Sequence, residues 1–113
     1  MVINIPFKMP SWNIVARKNH WEYTKIFNEL KTITKAYLPL HQGAIKSFPV
    51  NIHVHCRWRL SHRRDVDAVL FKPMLDQLVT SKILPDDSTQ YVGSVTYTGE
   101  IGADSDSIRI EIL

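Results

Sequence analysis

The feature of the sequence that most constrains the fold is a strict alternation of apolar and polar side chains over residues 49–60. Successive side chains of a β-strand point to opposite faces of a sheet, so this alternation predicts a strand with one buried and one polar face. The side chains predicted to face inward are Val50, Ile52, Val54, Cys56, Trp58 and Leu60, and those predicted to face outward are Asn51, His53, His55, Arg57 and Arg59.

Three further segments have the pattern of strands. Residues 2–7 alternate, and Pro6 indicates either an edge strand or the end of the strand. Residues 89–98 are rich in Thr, Val and Tyr, and residues 108–112 alternate through three isoleucines. A turn with two glycines at residues 99–104 separates them. The last two strands are therefore predicted to form a hairpin.

A long helix is predicted to follow Asn19. Asn19 can cap this helix, and Glu22 three positions later matches a capping box. An apolar stripe at helical spacing continues to Tyr37, and Pro39 ends the helix because the residue before a proline avoids the helical conformation. The preceding residues 8–18 have the composition of a loop.

A second helix is predicted over residues 67–82, where Pro73 either lies in the first turn or kinks the helix. The elements then follow the order β-α-β-α-β-β. This order predicts a small α/β (α+β) fold, in which a mixed sheet of about four strands carries two packed helices. A chain of 113 residues is expected to be a single domain, residues 1–113.

The composition excludes several classes of protein. A hydrophobic content of 44% with 22% charged residues is typical of a globular protein rather than a disordered one. There is no apolar run of about 18 residues, and the first ten residues lack the apolar segment of a signal peptide. Cys56 is the only cysteine, and His53 and His55 lack a third ligand at a zinc spacing. We expect a cytoplasmic protein without membrane contact.

The net charge of +3 conceals an uneven distribution of charges. A cluster of four arginines in residues 57–64 contains no acid, and five of the eleven acidic residues follow in residues 65–87. This pattern indicates either a small acidic site beside a basic wall or a helix with charged ends. The arginines are Arg57, Arg59, Arg63 and Arg64, and the acids are Asp65, Asp67, Asp76, Asp86 and Asp87.

Several basic side chains are candidates for contacts with DNA phosphates, which position DNA without reading its sequence. They are the four arginines of that cluster together with Arg17 and Lys18 of the predicted loop. The alternative is that the arginines only balance the nearby aspartates. Trp12 or Trp21 is a candidate for stacking on a base. A helical tryptophan such as Trp21 more often belongs to a core or a dimer interface.

Three runs of residues carry a more specific signal. They are RRDVD at residues 63–67, KPMLDQL at residues 72–78 and DDSTQYV at residues 86–92. In residue type, in order and in the spacing from Asp76 to Asp87, these runs resemble the signature of RusA-type Holliday-junction resolvases. The resemblance is densest over residues 63–92 and extends more weakly to the whole chain through its length and element order.

The resemblance implies Mg²⁺-dependent cleavage of branched DNA, such as a four-way junction, by a homodimer that needs no small-molecule cofactor; Mn²⁺ is an alternative ion. It implies that Asp65, Asp67 and Asp87 are metal-binding and catalytic residues. It also implies that Lys72 is needed for activity, and that Asp86 is a further metal ligand or orients one. Mg²⁺ binds hard oxygen ligands and needs only a few carboxylates plus a substrate phosphate, which agrees with this set.

The spacers between these residues depart from the family signature. Ala68 stands where an asparagine is expected, and one extra residue separates Asp67 from Lys72. Another extra residue lies in the last run, and Lys82 lies in the stretch where a glycine is expected. Asp76 is one helical turn from Lys72 and could pair with it instead of joining the site. The alternative function is therefore a catalytically degenerate relative that binds branched DNA without cleaving it.

Overall fold

The computed structural model describes residues 1–39, 43–61 and 63–113. Within these residues the chain forms a mixed four-stranded sheet with three helices, which confirms the predicted α+β class and adds one helix to it. The elements in chain order are β1 (Val2–Ile5), α1 (Trp12–Val15), α2 (His20–Tyr37), β2 (Val50–Trp58), α3 (Lys72–Thr80), β3 (Val92–Ile101) and β4 (Ser107–Ile112).

The alternating segment forms β2, as predicted. Its inward side chains from Val50 to Trp58 are each 2% exposed or less, whereas the outward ones are exposed or half-buried. Leu60 does not continue the inward face, because it lies beyond the end of the strand and is 43% exposed. The chain turns there, and the N–H of Ala103 donates to the carbonyl of Trp58 at 2.9 Å while that of Gly102 donates to Leu60 at 3.2 Å.

The sheet has the order β1-β4-β2-β3, so the predicted hairpin between the last two strands is wrong. β2 pairs in parallel with β3 and antiparallel with β4, which also pairs with β1. The connection at residues 102–106 passes the end of β2, where Asp106 accepts a hydrogen bond from the backbone N–H of Arg59 at 2.9 Å. This passage puts β3 and β4 on opposite sides of β2. Helix α3 forms the crossover that the parallel pair requires.

Helix α2 begins and ends as predicted, whereas the predicted loop before it contains the one-turn helix α1. Oδ1 of Asn19 accepts a hydrogen bond from the N–H of Glu22 at 3.0 Å, and Leu38 is extended before the proline that follows. The composition of residues 8–18 indicated only a loop. Helix α1 forms because Val15 packs into the core, a long-range contact that local composition does not encode.

Helix α3 is shorter than the predicted helix, because it begins at Lys72 instead of near residue 67. Val69 pairs with Ser11 in an isolated β-bridge, so the helix does not extend back to residue 67. Pro73 lies in the first turn, where its missing N–H removes no helical hydrogen bond. Asp65 and Asp67 therefore lie in irregular chain ahead of the helix.

The core forms where side chains of α2 and α3 pack against the inward face of the sheet. Leu30 of α2 and Met74 and Leu78 of α3 are fully buried together with Ile108 and Ile110 of β4. Full burial of such a side chain stabilises the fold by roughly 1.5–3 kcal/mol. None of the described helices combines the length and the apolar character that crossing a membrane requires.

Candidate active site

Lys72, the first residue of α3, is the centre of the candidate site because its ammonium contacts two carboxylates. Its Nζ lies 2.8 Å from Oδ2 of Asp87 and 2.9 Å from Oδ1 of Asp76. The hydrogen bond from Lys72 lowers the pKa of Asp87, and the hydrogen bonds to Asp87 and Asp76 raise the pKa of Lys72. Lys72 and Asp87 are both ionised at neutral pH and form a solvent-exposed ion pair.

Asp87 reaches Lys72 because the chain runs back along α3 after this helix ends. The helix has nine residues, a length of about 13 Å. Lys82 has a φ of 61°, the left-handed conformation at which many helices end, and the buried Ile83 and Leu84 hold the returning chain on the core. The stretch in which the family signature has a glycine thus contains a left-handed turn, where glycine is the least strained residue.

Lys72 also lines a cleft of about 350 Å³ together with Asp67, and we refer to it as the Asp67–Lys72 cleft. The extra residue between Asp67 and Lys72 therefore does not separate them. Because Asp87 contacts Lys72, three of the four residues predicted to be catalytic are neighbours in the fold. The rest of the lining is aromatic or aliphatic and consists of Trp12, Tyr23, Val69, Leu70, Phe71 and Tyr97.

The other predicted metal ligands lie outside this arrangement. Oδ1 of Asp65 is 3.7 Å from Nη2 of Arg63, and Asp65 is not part of the cleft lining. Asp86 is exposed beside Asp87 in the turn after α3. Across residues 1–39, 43–61 and 63–113, no three His, Cys, Asp or Glu side chains lie close enough together to hold a metal ion. The four predicted carboxylates are therefore not gathered into one cluster within these ranges.

The helix α1 is fixed to the segment that carries Asp67. The N–H of Trp12 donates to the carbonyl of Ala68 at 2.9 Å, and Ser11 forms a β-bridge with Val69. Ala68 is 8% exposed, so the position where the family has an asparagine is packed and acts through its backbone. These bonds hold Trp12 at a fixed place beside Asp67.

A second cleft, of about 230 Å³, also borders α1, through Ile14 and Val15. Its charged lining is entirely basic and consists of Lys8, Lys18 and Arg64, so we refer to it as the basic cleft. Lys18 and Arg64 were predicted separately as DNA contacts, and the fold brings them to one surface. Helix α1 thus lies between a cleft with a carboxylate and one with three cations, of which Lys18 lies 3.9 Å from Oε2 of Glu22.

Arg64 is half-buried, whereas its neighbour Arg63 projects into solvent. The guanidinium carbon of Arg64 lies 5.8 Å from the centroid of the Trp58 ring, within the range of a cation–π contact. Its Nε is buried and has no hydrogen-bond partner in the described part of the chain. Arg64 therefore packs on the inward face of the sheet as well as lining the basic cleft.

The remaining predicted DNA contacts are spread over other surfaces. Nε of Arg57 lies 3.3 Å from Oε2 of Glu100 on the outward face of the sheet. Arg59 is exposed beyond the end of β2, and Arg17 is exposed after α1. Because Arg57 and Arg64 lie on opposite faces of the sheet, the arginine cluster does not form a single wall.

The structure also shows the surroundings of three other features of the sequence, namely the histidine pair, the cysteine and Trp21. Nε2 of His53 and Nδ1 of His55 lie 2.6 Å and 2.7 Å from the shared Oγ1 of Thr98. Burial raises the pKa of the Cys56 thiol to about 12, as expected of an inert core cysteine. Trp21 is 82% exposed, so its assignment to a core is wrong, and its assignment to a dimer interface stays a prediction.

The sequence did not indicate Tyr97, Tyr23 or Lys8 as part of a site. The alternation of β3 places Tyr97 on the inward face, and this signal could have identified it. Tyr23 was assigned to the apolar stripe of α2, which hid its second contact with the cleft. No local pattern distinguishes Lys8.

Neither models of known protein families nor the sequences of curated proteins match this chain. The resemblance to RusA-type resolvases therefore depends on the three sequence runs, and it stays a prediction.

Proposed function

We propose that the protein is a Mg²⁺-dependent, structure-selective DNA endonuclease that resolves Holliday junctions or other branched DNA by paired nicks. The observation that carries this proposal is that Asp67 and Lys72 line one cleft and Asp87 contacts Lys72, although the spacers between these residues differ from the family signature. Carboxylates and a lysine beside a cleft are the groups expected where a metal ion assists the hydrolysis of a phosphodiester.

The donor set fits Mg²⁺ in its usual mode at phosphate-transfer sites, in which one or two carboxylates and the substrate phosphate bind the ion. Asp67 and Asp87 would supply the carboxylates, and Mn²⁺ has the same preference for oxygen ligands. When bound, the ion supplies polarisation of the scissile phosphate and activation of water. Lys72 orients Asp87 through their 2.8 Å contact and is the group placed to offset charge on the phosphate.

The basic cleft supports DNA as the substrate. Lys8, Lys18 and Arg64 lie across α1 from Asp67, so strand phosphates could bind there while the scissile phosphate faces the Asp67–Lys72 cleft. Such an enzyme would act on DNA in the cytoplasm of a bacterial or phage-infected cell.

Cleavage of a labelled four-way junction in Mg²⁺ tests the proposal. We expect paired nicks from the wild type and none from Asp67→Asn, with junction binding retained. Asp104→Asn is the matched control, because it makes the same change at an exposed aspartate in the connection between β3 and β4. Loss of cleavage in both variants, or in neither, would contradict the role of Asp67.

The second candidate is a protein that binds branched DNA without cutting it. Two observations favour it: Lys72 already forms ion pairs with both Asp87 and Asp76, and the described residues hold no group of three metal-binding side chains. Junction binding without nicks in either Mg²⁺ or Mn²⁺ would establish this alternative. Failure to bind a junction at low salt would exclude both candidates.

Paired nicks require two active sites, so we also propose a two-fold symmetric homodimer. Gel filtration is expected to give about twice the chain mass of 13.1 kDa. A monomer at the concentrations that support cleavage would contradict paired cutting by a dimer.

A further inference from the structure

We propose that Trp12 is a stacking platform for one unpaired base of the DNA, next to the phosphate that faces Asp67 and Lys72. The choice of ligand rests on the proposed function, because it takes branched DNA as the substrate. Unpaired bases stack on aromatic side chains regardless of their identity. A base at a branch point costs less to unstack than one inside a duplex.

The position of Trp12 is fixed by bonds that also fix Asp67. Its backbone N–H donates to Ala68, the residue after Asp67, and the β-bridge of Ser11 with Val69 continues this attachment. The two side chains line the same cleft. A base stacked on the Trp12 indole would therefore lie at a set distance from the predicted catalytic groups.

The Trp12 indole is oriented by its neighbour and remains accessible. Tyr23 packs against it edge to face, with ring centroids 5.9 Å apart and an interplanar angle of 73°. Trp12 is 39% exposed, which an aromatic ring that served only to fill the core would not be. Trp21 is more exposed but is not part of this lining, so exposure alone does not select Trp12.

The chemistry of the cleft favours a nucleobase over an apolar partner. Its walls include the rings of Trp12, Tyr23 and Tyr97, on which a base can stack, and its charged side chains, Asp67 and Lys72, are the groups proposed to face the neighbouring phosphate. Its volume of about 350 Å³ lies within the range of about 300–1,000 Å³ that is typical of sites for small organic groups. The basic cleft on the far flank of α1 would hold the adjoining strand phosphates.

The test compares Trp12→Leu with Trp21→Leu, which makes the same change at a tryptophan outside the cleft. The probe is a junction with an unpaired 2-aminopurine at its branch point, and a fully paired duplex with 2-aminopurine serves as the reference. Binding is measured in Ca²⁺ without Mg²⁺, and cleavage is measured separately in Mg²⁺. Stacking on an indole quenches 2-aminopurine, so the readout does not require the enzyme to cut.

We expect the wild type and Trp21→Leu to quench the junction probe but not the duplex. Trp12→Leu should lose the quenching and bind the junction about 5- to 140-fold more weakly, the equivalent of about 1–3 kcal/mol for one stacked base. Trp12→Phe should restore part of the affinity because it retains an aromatic face.

Equal quenching by Trp12→Leu and the wild type would overturn the inference even if the wild type cuts junctions. A wild type that quenches through Trp12 but cuts nothing would support the inference and refute the nuclease. No binding of the unpaired probe by the wild type would overturn it, as would a change of oligomeric state in Trp12→Leu that accounts for its weaker binding.

A measurement on the wild type keeps the inference testable if Trp12→Leu does not fold. A photoreactive bromouracil at the unpaired position should crosslink to the tryptic peptide of residues 9–17, which contains Trp12 and no other tryptophan. The peptide of residues 19–25 contains both Trp21 and Tyr23 of the cleft, so the crosslinked residue in it is located by fragmentation; crosslinking only at Trp21 would overturn the assignment.

Discussion

Gly99→Ala perturbs the packing beneath the segment that carries Asp67. A Cβ at position 99 would lie 2.9 Å from Cζ3 of Trp58 and 3.6 Å from Cγ1 of Val66. Trp58 cannot easily move aside, because it is buried and its Nε1 donates to the carbonyl of Met9 at 2.9 Å. Overpacking at such a contact destabilises a fold by about 1–3 kcal/mol.

Gly93→Ala is the matched control, since it makes the same change at another exposed position of β3. There the new Cβ meets Oδ1 of the exposed Asn51 at 3.2 Å, and that side chain can shift by a few tenths of an ångström together with the Ser94 hydroxyl that donates to it at 2.7 Å. Replacing a strand glycine with alanine stabilises by about 0.5–1 kcal/mol in both variants. The difference between the two free energies of unfolding therefore isolates the contact with Trp58, and we expect about 1–3 kcal/mol.

Urea denaturation measures this difference, provided that the m-values of the variants agree. In a Trp58→Phe background the six-membered indole ring that contains Cζ3 is absent, so the penalty of Gly99→Ala should shrink. Equal stability of Gly99→Ala and Gly93→Ala would refute the close contact between position 99 and Trp58. So would a loss of stability from Gly99→Ala that is the same in the Trp58→Phe background.

Three further measurements concern Lys82, Cys56 and Lys72. Lys82→Gly should raise the free energy of unfolding, measured in urea, by up to about 1.5 kcal/mol. A left-handed lysine costs about 1–2 kcal/mol, and the entropy of glycine offsets about 0.5–1 kcal/mol of this gain. Cys56 should not react with a thiol reagent at pH 8 until the protein unfolds, because it is buried and its pKa is raised to about 12; rapid labelling of the folded protein would contradict its burial. Lys72→Met should raise the pKa of Asp87 toward its ordinary value of 3.8, as followed by NMR of the carboxyl carbon. Folding lowers the pKa of Asp87, so the stabilisation from its contact with Lys72 is fully present above pH 3.8 and is lost as the pH falls through the lower pKa of the folded state. An unchanged pKa of Asp87 in Lys72→Met would contradict the ion pair.

The parts of the fold that the sequence predicts correctly depend on local patterns. The inward and outward alternation of β2 follows from the geometry of a single strand. The start of α2 follows from the side-chain cap of Asn19 on Glu22, which are three positions apart. In both cases the interacting groups are neighbours in the chain, so one stretch of sequence contains the whole signal.

The errors concern contacts between residues that are distant in sequence. The pairing of β4 with β1 and β2 depends on how residues 102–106 pass the end of β2, and a turn composition fits a hairpin equally well. The start of α3 depends on the bridge between Ser11 and Val69. The resemblance assigned Lys72 and Asp87 to one site but did not predict their direct contact. Trp12 was one of two candidates for stacking on a base, and no local pattern placed it in that site.

If DNA binds at the candidate site as proposed, the charges of this site would require a cation to bind with it. Asp67, Asp76 and Asp87 with Lys72 leave these four side chains with a net charge of −2, which repels a phosphate. Lys72 cannot relieve this repulsion while two carboxylates hold its ammonium at 2.8 Å and 2.9 Å. In the proposed nuclease, a divalent cation at Asp67 and Asp87 would bring this charge to zero and compete with Lys72 for Asp87. The ammonium could then turn to the phosphate, so in that nuclease the ion pairs of Lys72 would couple metal binding to DNA binding.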